Sequence, residues 1–208
     1  MSPVAVVHLD ESCLGNGREG DNPGGGGGLV EARTRGGRIE RRDVLVHAPA
    51  TTNNRMALTG ATVALELLAA KKVRLQVLIV SDSEYLVRGM REWVSAWRSR
   101  GWTRKGGPIE NVELWQALWA AKQLHDVQWT WVRGHRGHAK NEYANDLAVK
   151  AAREQITSAG LVPSGFDAWL EARRAKGQYL AYDPDAAFAE LEARVASDEP
   201  FPHADARA

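Results

Sequence analysis

Two strongly apolar segments of the chain each run into an aspartate. Residues 4–10 end in Asp10, and residues 73–80 are followed by Asp82 after one serine. Continuous apolar runs of this length are typical of strands that are buried on both faces of a sheet. Ligands of open α/β sheets bind at the carboxyl ends of the strands, so the two carboxylates predict a site at that edge.

The order of the other segments predicts an α/β fold. After a glycine-rich loop over residues 15–28, further strands are predicted at residues 29–33, 38–47 and 127–132. The predicted helices cover residues 51–71, 84–100 with an interruption near Gly89, 111–125 and 139–153. Hairpin strands first and helical crossovers later imply a five-stranded mixed sheet with helices on both faces.

The composition changes near residue 155, which predicts two parts. Residues 1–154 form the α/β domain, and residues 155–208 form an acidic C-terminal extension. In the extension we expect a linker at 157–165, short helices at 166–175 and 184–195, and a loose tail from 198. Residues 154–208 carry ten acidic and five basic side chains, a net charge of −5, so residues 1–153 carry +6. A basic body favours a polyanionic partner.

Other features exclude several classes of protein. Cys13 is the only cysteine, so an intramolecular disulfide is impossible and nothing indicates a zinc site. The first apolar run is too short for a signal peptide, and no segment approaches the roughly 18 apolar residues of a membrane span. We therefore expect a cytoplasmic protein with no membrane partner, and a monomer.

Five separated motifs carry a resemblance to a known family. Residues 10–16 read DESCLGN, 51–56 read TTNNRM, 81–85 read SDSEY, and 129–138 read WTWVRGHRGH, followed by NE at 141–142 and DLA at 146–148. In this order they resemble the bacterial type of ribonuclease HI. The resemblance covers about residues 4–153, and the extension lies outside it.

The resemblance implies a ribonuclease H-like fold and an endonuclease that hydrolyses the RNA strand of RNA–DNA hybrids. The family uses four carboxylates and two Mg²⁺ ions, with Mn²⁺ as an alternative. Two such ions clamp the attacking water and the leaving oxygen of a phosphodiester. Asp10 and Asp82 match two of the metal carboxylates, and His135 matches a loop histidine that handles protons near the leaving group.

The same resemblance implies contacts with the hybrid. Asparagine and threonine positions match residues that touch its backbone and sugars, and the basic, tryptophan-rich stretch resembles the protrusion that grips substrate. The predicted substrate contacts are Asn16, Thr52, Asn53, Asn54, Glu84, Trp93, Arg98, Trp102, Arg104 and Lys105. Trp93 and Trp102 fit a role in the core equally well, and Asn53 and Asn54 also fit a helix cap.

The chain departs from the family at three positions of the site. Ala57 stands where the family has a glutamate, Asn145 where it has an aspartate, and Glu11 where it has a glycine. Asn145 therefore offers only a weak, neutral ligand. With two of four metal carboxylates missing, we predict impaired cleavage, and the alternative is a hybrid-binding module that is weak or inactive.

No neighbouring acid replaces the missing carboxylates convincingly from the sequence. Glu66 lies on the opposite side of its helix from Ala57, and Asp146 is rotated by about 100° from Asn145. Glu142 matches an acid that the family already has. Glu84 follows Asp82 closely and is the most plausible extra acid, although the resemblance places it toward substrate. Glu11 is expected to point away from Asp10, unless the strand ends first. The departures fit either a laboratory change or a natural divergent member, and the acidic extension fits partner binding or folding over the basic face.

Overall fold

The computed structural model describes residues 3–15, 22–70, 72–134 and 137–197, and its centre is a six-stranded sheet. The strands are β1 (Val4–Cys13), β2 (Gly24–Arg33), β3 (Ile39–Ala48), β4 (Gln76–Ser81), β5 (Asp126–Trp131) and β6 (Val162–Pro163). Their order is β5-β4-β1-β2-β3-β6. The pairs β1/β4 and β4/β5 are parallel, and the other three pairs are antiparallel. The mixed sheet is as predicted.

The sixth strand corrects the prediction of five. It lies in the segment expected to be a linker, and it pairs with β3 through Arg42↔Pro163 and Asp43↔Val162. The same segment is fixed further along, because Ser158 N donates to Leu45 O and Gly165 N donates to the Asp43 carboxylate. The unpaired edge of β3 offered free backbone groups, and this segment satisfies them.

In the described part of the chain, seven α-helices connect and cover the strands. They are α1 (Asn53–Ala69), α2 (Glu84–Arg88), α3 (Val94–Ser99), α4 (Val112–Lys122), α5 (Ala139–Glu154), α6 (Phe166–Arg174) and α7 (Pro184–Ser197). A π-helical turn at Gly89–Trp93 separates α2 from α3, so the predicted interruption near Gly89 is confirmed. A Cβ atom at Gly89 would lie 2.0 Å from the Trp115 ring, which explains the glycine at this point.

The glycine run is a strand and not the predicted loop. Gly24–Gly28 pairs with β1 on one side and β3 on the other, whereas residues 16–21 lie outside the described residues. A Cβ at Gly25 would lie 2.1 Å from Ala148 O, and one at Gly27 would lie 2.3 Å from Ala144 O. Helix α5 therefore packs directly on the backbone of β2, at a distance that only glycine permits.

The sheet separates two apolar layers. Residues of β1 that point to one face, such as Val7 and Leu9, pack with α1 and α4, and Val6 on the other face packs with α7. Gly25 and Gly27 place α5 on this second face. Among the described residues, no helix is both long and apolar enough to cross a membrane.

The extension packs against the second face. Phe166 and Leu170 join a buried cluster with Tyr143 of α5, and Phe188 and Val195 are buried against the sheet. Both predicted short helices are confirmed as α6 and α7. The described part of the extension therefore does not fold over the basic stretch, whose Trp102 packs against the first layer. The predicted tail from residue 198 lies outside the described residues.

Candidate metal centre

Asp10 and Asp82 lie side by side at the carboxyl edge of two neighbouring parallel strands. The pairing of β1 with β4 ends at Leu9↔Ser81, and the two aspartates directly follow this last pair in the chain. Asp10 is 8 % exposed, and Asp82 is half-buried. Burial raises the pKa of Asp10 to about 7, and the charge of Asp82 adds to the rise. The predicted juxtaposition of these two carboxylates is confirmed.

Glu11 joins this pair, although the sequence predicted that it would point away from Asp10. Ligand oxygens of Asp10, Glu11 and Asp82 all lie within 4.8 Å of one another. Alternation along β1 does put Glu11 on the face opposite to Asp10. However, β1 continues to Cys13 whereas β4 ends at Ser81, so Glu11 lies beyond the last paired residue of β4. A glutamate is long enough to reach past the end of the shorter strand.

The three carboxylates repel one another in a partly buried place. Burial, followed by the charges of Asp10 and Asp82, raises the pKa of Glu11 to about 8, and a side-chain hydrogen bond with Ser83 opposes the shift. A divalent cation would remove this repulsion, and carboxylate oxygens are the ligands that Mg²⁺ and Mn²⁺ prefer. Opposite ligands of Mg²⁺ are about 4.2 Å apart, so a cluster of this size fits such an ion after a small contraction.

Helix α5 supplies an amide to the same site. Both oxygens of Asp10 accept hydrogen bonds: Oδ1 from the backbone N of Glu11 at 2.7 Å, and Oδ2 from Asn141 Nδ2 at 3.2 Å. Asn141 is buried, and Asn145 lies one turn further along the same side of α5. Asn141 therefore orients Asp10, and the position of Asn145 as a weak ligand stays a prediction.

The other acids that the sequence offered are placed elsewhere. Glu66 is exposed on α1, while Ala57 is buried in the apolar layer under the sheet. Asp146 accepts hydrogen bonds from Trp169 and Arg173 of the extension. Glu84 is the exposed first residue of α2. Among the described residues, only Asp10, Glu11 and Asp82 form a group of three possible metal ligands of the His, Cys, Asp or Glu type.

Several predicted substrate contacts lie at the start of α1. Thr52 is its N-cap, and its hydroxyl accepts a hydrogen bond from the backbone N of Arg55. Asn53 and Asn54 are the first two residues of the helix and are half-buried. A capping role is thus visible for Thr52, and substrate contact by all three stays a prediction. Asn16 and His135 lie outside the described residues.

The basic stretch is a surface feature. Arg98, Arg104 and Lys105 are exposed, and the guanidinium of Arg98 lies 4.9 Å from the centre of the Trp119 ring. Trp93 is half-buried and lies in a chain of ring contacts, 5.8 Å from Trp97 between centroids. The arginines and the lysine face solvent, whereas Trp93 packs against neighbouring rings and Trp102 packs against the first apolar layer.

Two residues of the centre were not predicted from the sequence, and each had a faint signal. Glu11 is acidic where the motif has glycine, but its direction depends on where β4 ends relative to β1. Asn141 lies in the NE motif, four residues before Asn145, which is the spacing of neighbours on one helix face. No local sequence pattern predicts the hydrogen bond from Asn141 to Asp10.

Comparisons with known proteins agree with this geometry. The family model described as RNase H matches residues 3–153. Ribonuclease H of Pelobacter propionicus is 44 % identical over 154 residues, which cover 74 % of this chain and 86 % of the relative. Ribonuclease HI of Caulobacter vibrioides is 39 % identical over 155 residues, covering 74 % and 96 %.

A solved structure extends the similarity to the whole chain. The crystal structure of LC9-RNase H1, described as a type 1 RNase H with the type 2 active-site motif, is 49 % identical. The match covers 100 % of this chain and 92 % of that one, with a TM-score of 0.76. Thus the extension is included in this match, whereas the two curated relatives match about three quarters of the chain.

Proposed function

Because the chain belongs to the ribonuclease H family, we propose that it hydrolyses the RNA strand of RNA–DNA hybrids at a metal centre built on Asp10, Glu11 and Asp82. The observation that carries the proposal is the cluster of three carboxylates at the carboxyl edge of β1 and β4. The raised pKa values of Asp10 and Glu11 support the proposal, because closely spaced, partly buried carboxylates are typical of sites that bind a cation.

We assign two divalent ions to the centre, Mg²⁺ or Mn²⁺. When bound, such ions supply activation of water and stabilisation of the leaving oxygen. The chain itself contributes orientation: Asn141 and the backbone of Glu11 hold the two oxygens of Asp10 by hydrogen bonds. Asn145 would add a neutral amide oxygen, and His135 would carry a proton near the leaving group.

Glu11 bears on the absence of carboxylates at positions 57 and 145. By alternation along β1 it points to the face of Leu9, and Leu9 and Ala57 belong to the same apolar layer. Glu11 thus arrives from the side on which the family's helix glutamate would stand. We propose that it takes the place of that ligand, so that only the charge at position 145 is lost.

This arrangement favours natural divergence over a laboratory change. A silenced enzyme would lose the carboxylates at positions 57 and 145 without gaining an acid in the centre, whereas this chain has Glu11 within 4.8 Å of Asp82. LC9-RNase H1, a type 1 protein with the type 2 active-site motif, supports the idea that this fold accommodates a rearranged set of ligands. Cleavage is then reduced relative to a four-carboxylate centre but not abolished.

Substrate binding is assigned to the surface beside the centre. The exposed Arg98, Arg104 and Lys105 would contact phosphates, and Thr52 with its two neighbouring asparagines would face the hybrid backbone. Asn16, Glu84, Trp93 and Trp102 complete the proposed contacts. A protein that only binds hybrids would keep this surface and lack turnover.

Cleavage of an end-labelled hybrid in Mg²⁺ and in Mn²⁺ tests the proposal. The wild-type chain should cut the RNA strand, and Glu11→Gln should slow cleavage by at least about 100-fold, which corresponds to roughly 2.7 kcal/mol of barrier. Glu66→Gln is the matched control, because it is the same substitution at an exposed acid outside the centre. It should leave the rate unchanged.

A rescue separates a lost ligand from a damaged strand. Adding Ala57→Glu to Glu11→Gln returns a carboxylate from the same face, so part of the lost rate should come back. Asn145→Asp in the wild-type background should raise the rate. If Glu11→Gln cleaves as fast as wild type, Glu11 is not a ligand. If wild type binds hybrid without cutting it in either metal, the chain is a binding module.

A further inference from the structure

Helix α5 is in contact with three parts of the molecule at once. Ala144 and Ala148 lie on the glycines of β2, and Asn141 donates its hydrogen bond to Asp10. The remaining side is turned to the extension, where Asp146 and Tyr143 make their contacts. Helix α5, which carries Asn141 and Asn145, thus contacts the extension, whose residues lie outside the family match.

Two donors of the extension converge on one oxygen of Asp146. Trp169 Nε1 donates to Oδ2 at 2.7 Å, and Arg173 Nη2 donates to the same atom at 3.0 Å. The two donors also support each other, because the guanidinium of Arg173 lies 4.9 Å from the centre of the Trp169 ring.

The indole of Trp169 is itself fixed by neighbouring rings. Its centroid lies 5.9 Å from that of Phe166 in a stacked arrangement, 5.5 Å from that of Tyr143 and 6.0 Å from that of Tyr179. Phe166 is fully buried. The donor atom is therefore presented by a rigid group, so the hydrogen bond restrains α5 and not merely one flexible side chain.

We propose that Trp169 and Arg173 are positioning residues for the metal centre, acting through Asp146 to hold α5 so that Asn141 stays on Asp10 and Asn145 faces the ions. This inference rests on the proposed function, because it assigns the extension a role in that same centre. Asp146 directly follows Asn145 and lies about 100° around the helix. A rotation of α5 that moved Asp146 toward the cations would therefore carry the amides away from them.

Indirect contacts of this kind have a measurable effect. Loss of groups that orient metal ligands typically lowers metal affinity by about 10- to 100-fold. Trp169 and Arg173 act one step further away, through the helix, so a smaller loss is expected. We expect the dissociation constant for Mn²⁺ to rise by about 3- to 10-fold when both donors are removed.

The test compares Mn²⁺ affinity, measured by calorimetry without substrate, in full-length variants. Trp169→Phe with Arg173→Gln removes both donors and keeps a ring in the stack. Asp146→Ala removes the acceptor, so it should give a similar loss and add little to the double variant, because the groups share one interaction. Hydrogen exchange of the α5 amides should be faster in each variant, whereas exchange of the amides in the sheet should not change.

Glu192→Gln is the matched control. Glu192 joins α7 to Arg33 of β2 by an ion pair of 2.7 Å, so it links the extension to the body without touching α5. It should leave Mn²⁺ affinity unchanged. Equal weakening in this control would mean that any loosening of the extension has the same effect, and the proposal would be wrong.

Other outcomes are equally decisive. Unchanged or tighter Mn²⁺ binding in the folded double variant would overturn the proposal, and circular dichroism verifies that it is folded. If that variant does not fold, Trp169→Phe alone decides in the same way, because it removes one hydrogen bond and keeps the ring. A wild-type chain that binds Mn²⁺ but cuts no hybrid would refute the proposed function, and the affinities of the variants would still judge the positioning role.

Discussion

The glycine strand allows a stringent test of how α5 is placed. Gly27→Ala would put a Cβ 2.3 Å from Ala144 O and 2.4 Å from Ala148 N, where ordinary contacts begin at 3.4 Å. Both neighbours are backbone atoms, so no side-chain rotation relieves the overlap. Helix α5 would have to retreat from the sheet by about 1 Å.

The cost follows from the size of that overlap. Overpacking of a well-packed interior destabilises a protein by about 1–3 kcal/mol, and contact with backbone on two residues belongs at the upper end of that range. Alanine also has less conformational freedom than glycine in the unfolded chain, and this offsets about 0.4–1 kcal/mol of the destabilisation. We therefore expect a net loss of about 2 kcal/mol in the free energy of unfolding.

Gly26→Ala is the matched control on the neighbouring residue. Its Cβ would point to the other face, where the nearest heavy atom is Gly60 Cα at 3.5 Å, an ordinary contact. Neither glycine has a positive φ, so alanine is not strained at either position. We expect Gly26→Ala to be neutral or up to about 1 kcal/mol more stable than wild type.

Urea unfolding, followed by tryptophan fluorescence, measures the difference. With a slope of about 2 kcal/mol per molar urea, Gly27→Ala should unfold about 1 M earlier than wild type, with no change in slope. Its cleavage should also fall, because the retreat of α5 draws Asn141 away from Asp10. Equal unfolding midpoints for Gly27→Ala and Gly26→Ala would refute the close approach of α5 to β2.

Three further outcomes are expected. Burial and two nearby carboxylates raise the pKa of Glu11 to about 8, so the metal-free protein should lose stability as pH rises from about 6.5 to 9. Thermal unfolding in EDTA measures this loss, and the stability of Glu11→Gln should depend less on pH. Phe188→Ala should cost about 3–5 kcal/mol in urea unfolding, since Phe188 is fully buried, whereas Leu180→Ala at an exposed site should cost almost nothing; equal costs would show that α7 is not part of the core. Arg104→Gln and Lys105→Gln should each weaken hybrid binding and reduce the salt slope by about 0.9 if each contacts one phosphate; an unchanged slope would remove the residue from the interface.

The sign of the pH effect follows from which state binds the proton more tightly. A carboxyl group with a raised pKa holds its proton more tightly in the folded state than in the unfolded state. Between the two pKa values the folded protein binds more protons, so its stability falls as pH increases. The predicted pH range starts above 6.5 because of His8, whose pKa burial lowers from that value. Below pH 6.5 this histidine makes the stability rise as pH increases, which opposes the effect of Glu11.

The order of the elements was accessible from the sequence because it rests on local patterns. Apolar runs marked β1 and β4, and each run ended at the acid that the structure places in the centre. Gly89 marked the break in the helical segment, because glycine is a poor helix former at an interior position. In each case one short segment contains the whole signal.

The remaining features depend on contacts between distant segments. Gly24–Gly28 has no side chains to form an alternating pattern, and its reason for being glycine lies in α5, more than a hundred residues later. Strand β6 is two residues long and exists because β3 offers an edge. Alternation gave the correct face for Glu11, but the length of β4 relative to β1 decided what that side chain meets.

The proposed transfer of a ligand position from α1 to β1 changes what the centre depends on. With Glu11, two of the three carboxylates follow one another on a single strand, and the third is fixed to them by the pairing Leu9↔Ser81. Their separation is therefore determined by the hydrogen bonds of the sheet, and the position of α1 no longer enters. The part that must still be brought in from outside the sheet is α5, through Asn141 on Asp10. The glycines of β2 set how near that helix lies to the sheet, and the proposed role of Trp169 and Arg173 is to hold its outer side, so both groups of residues act on the helix that carries Asn141.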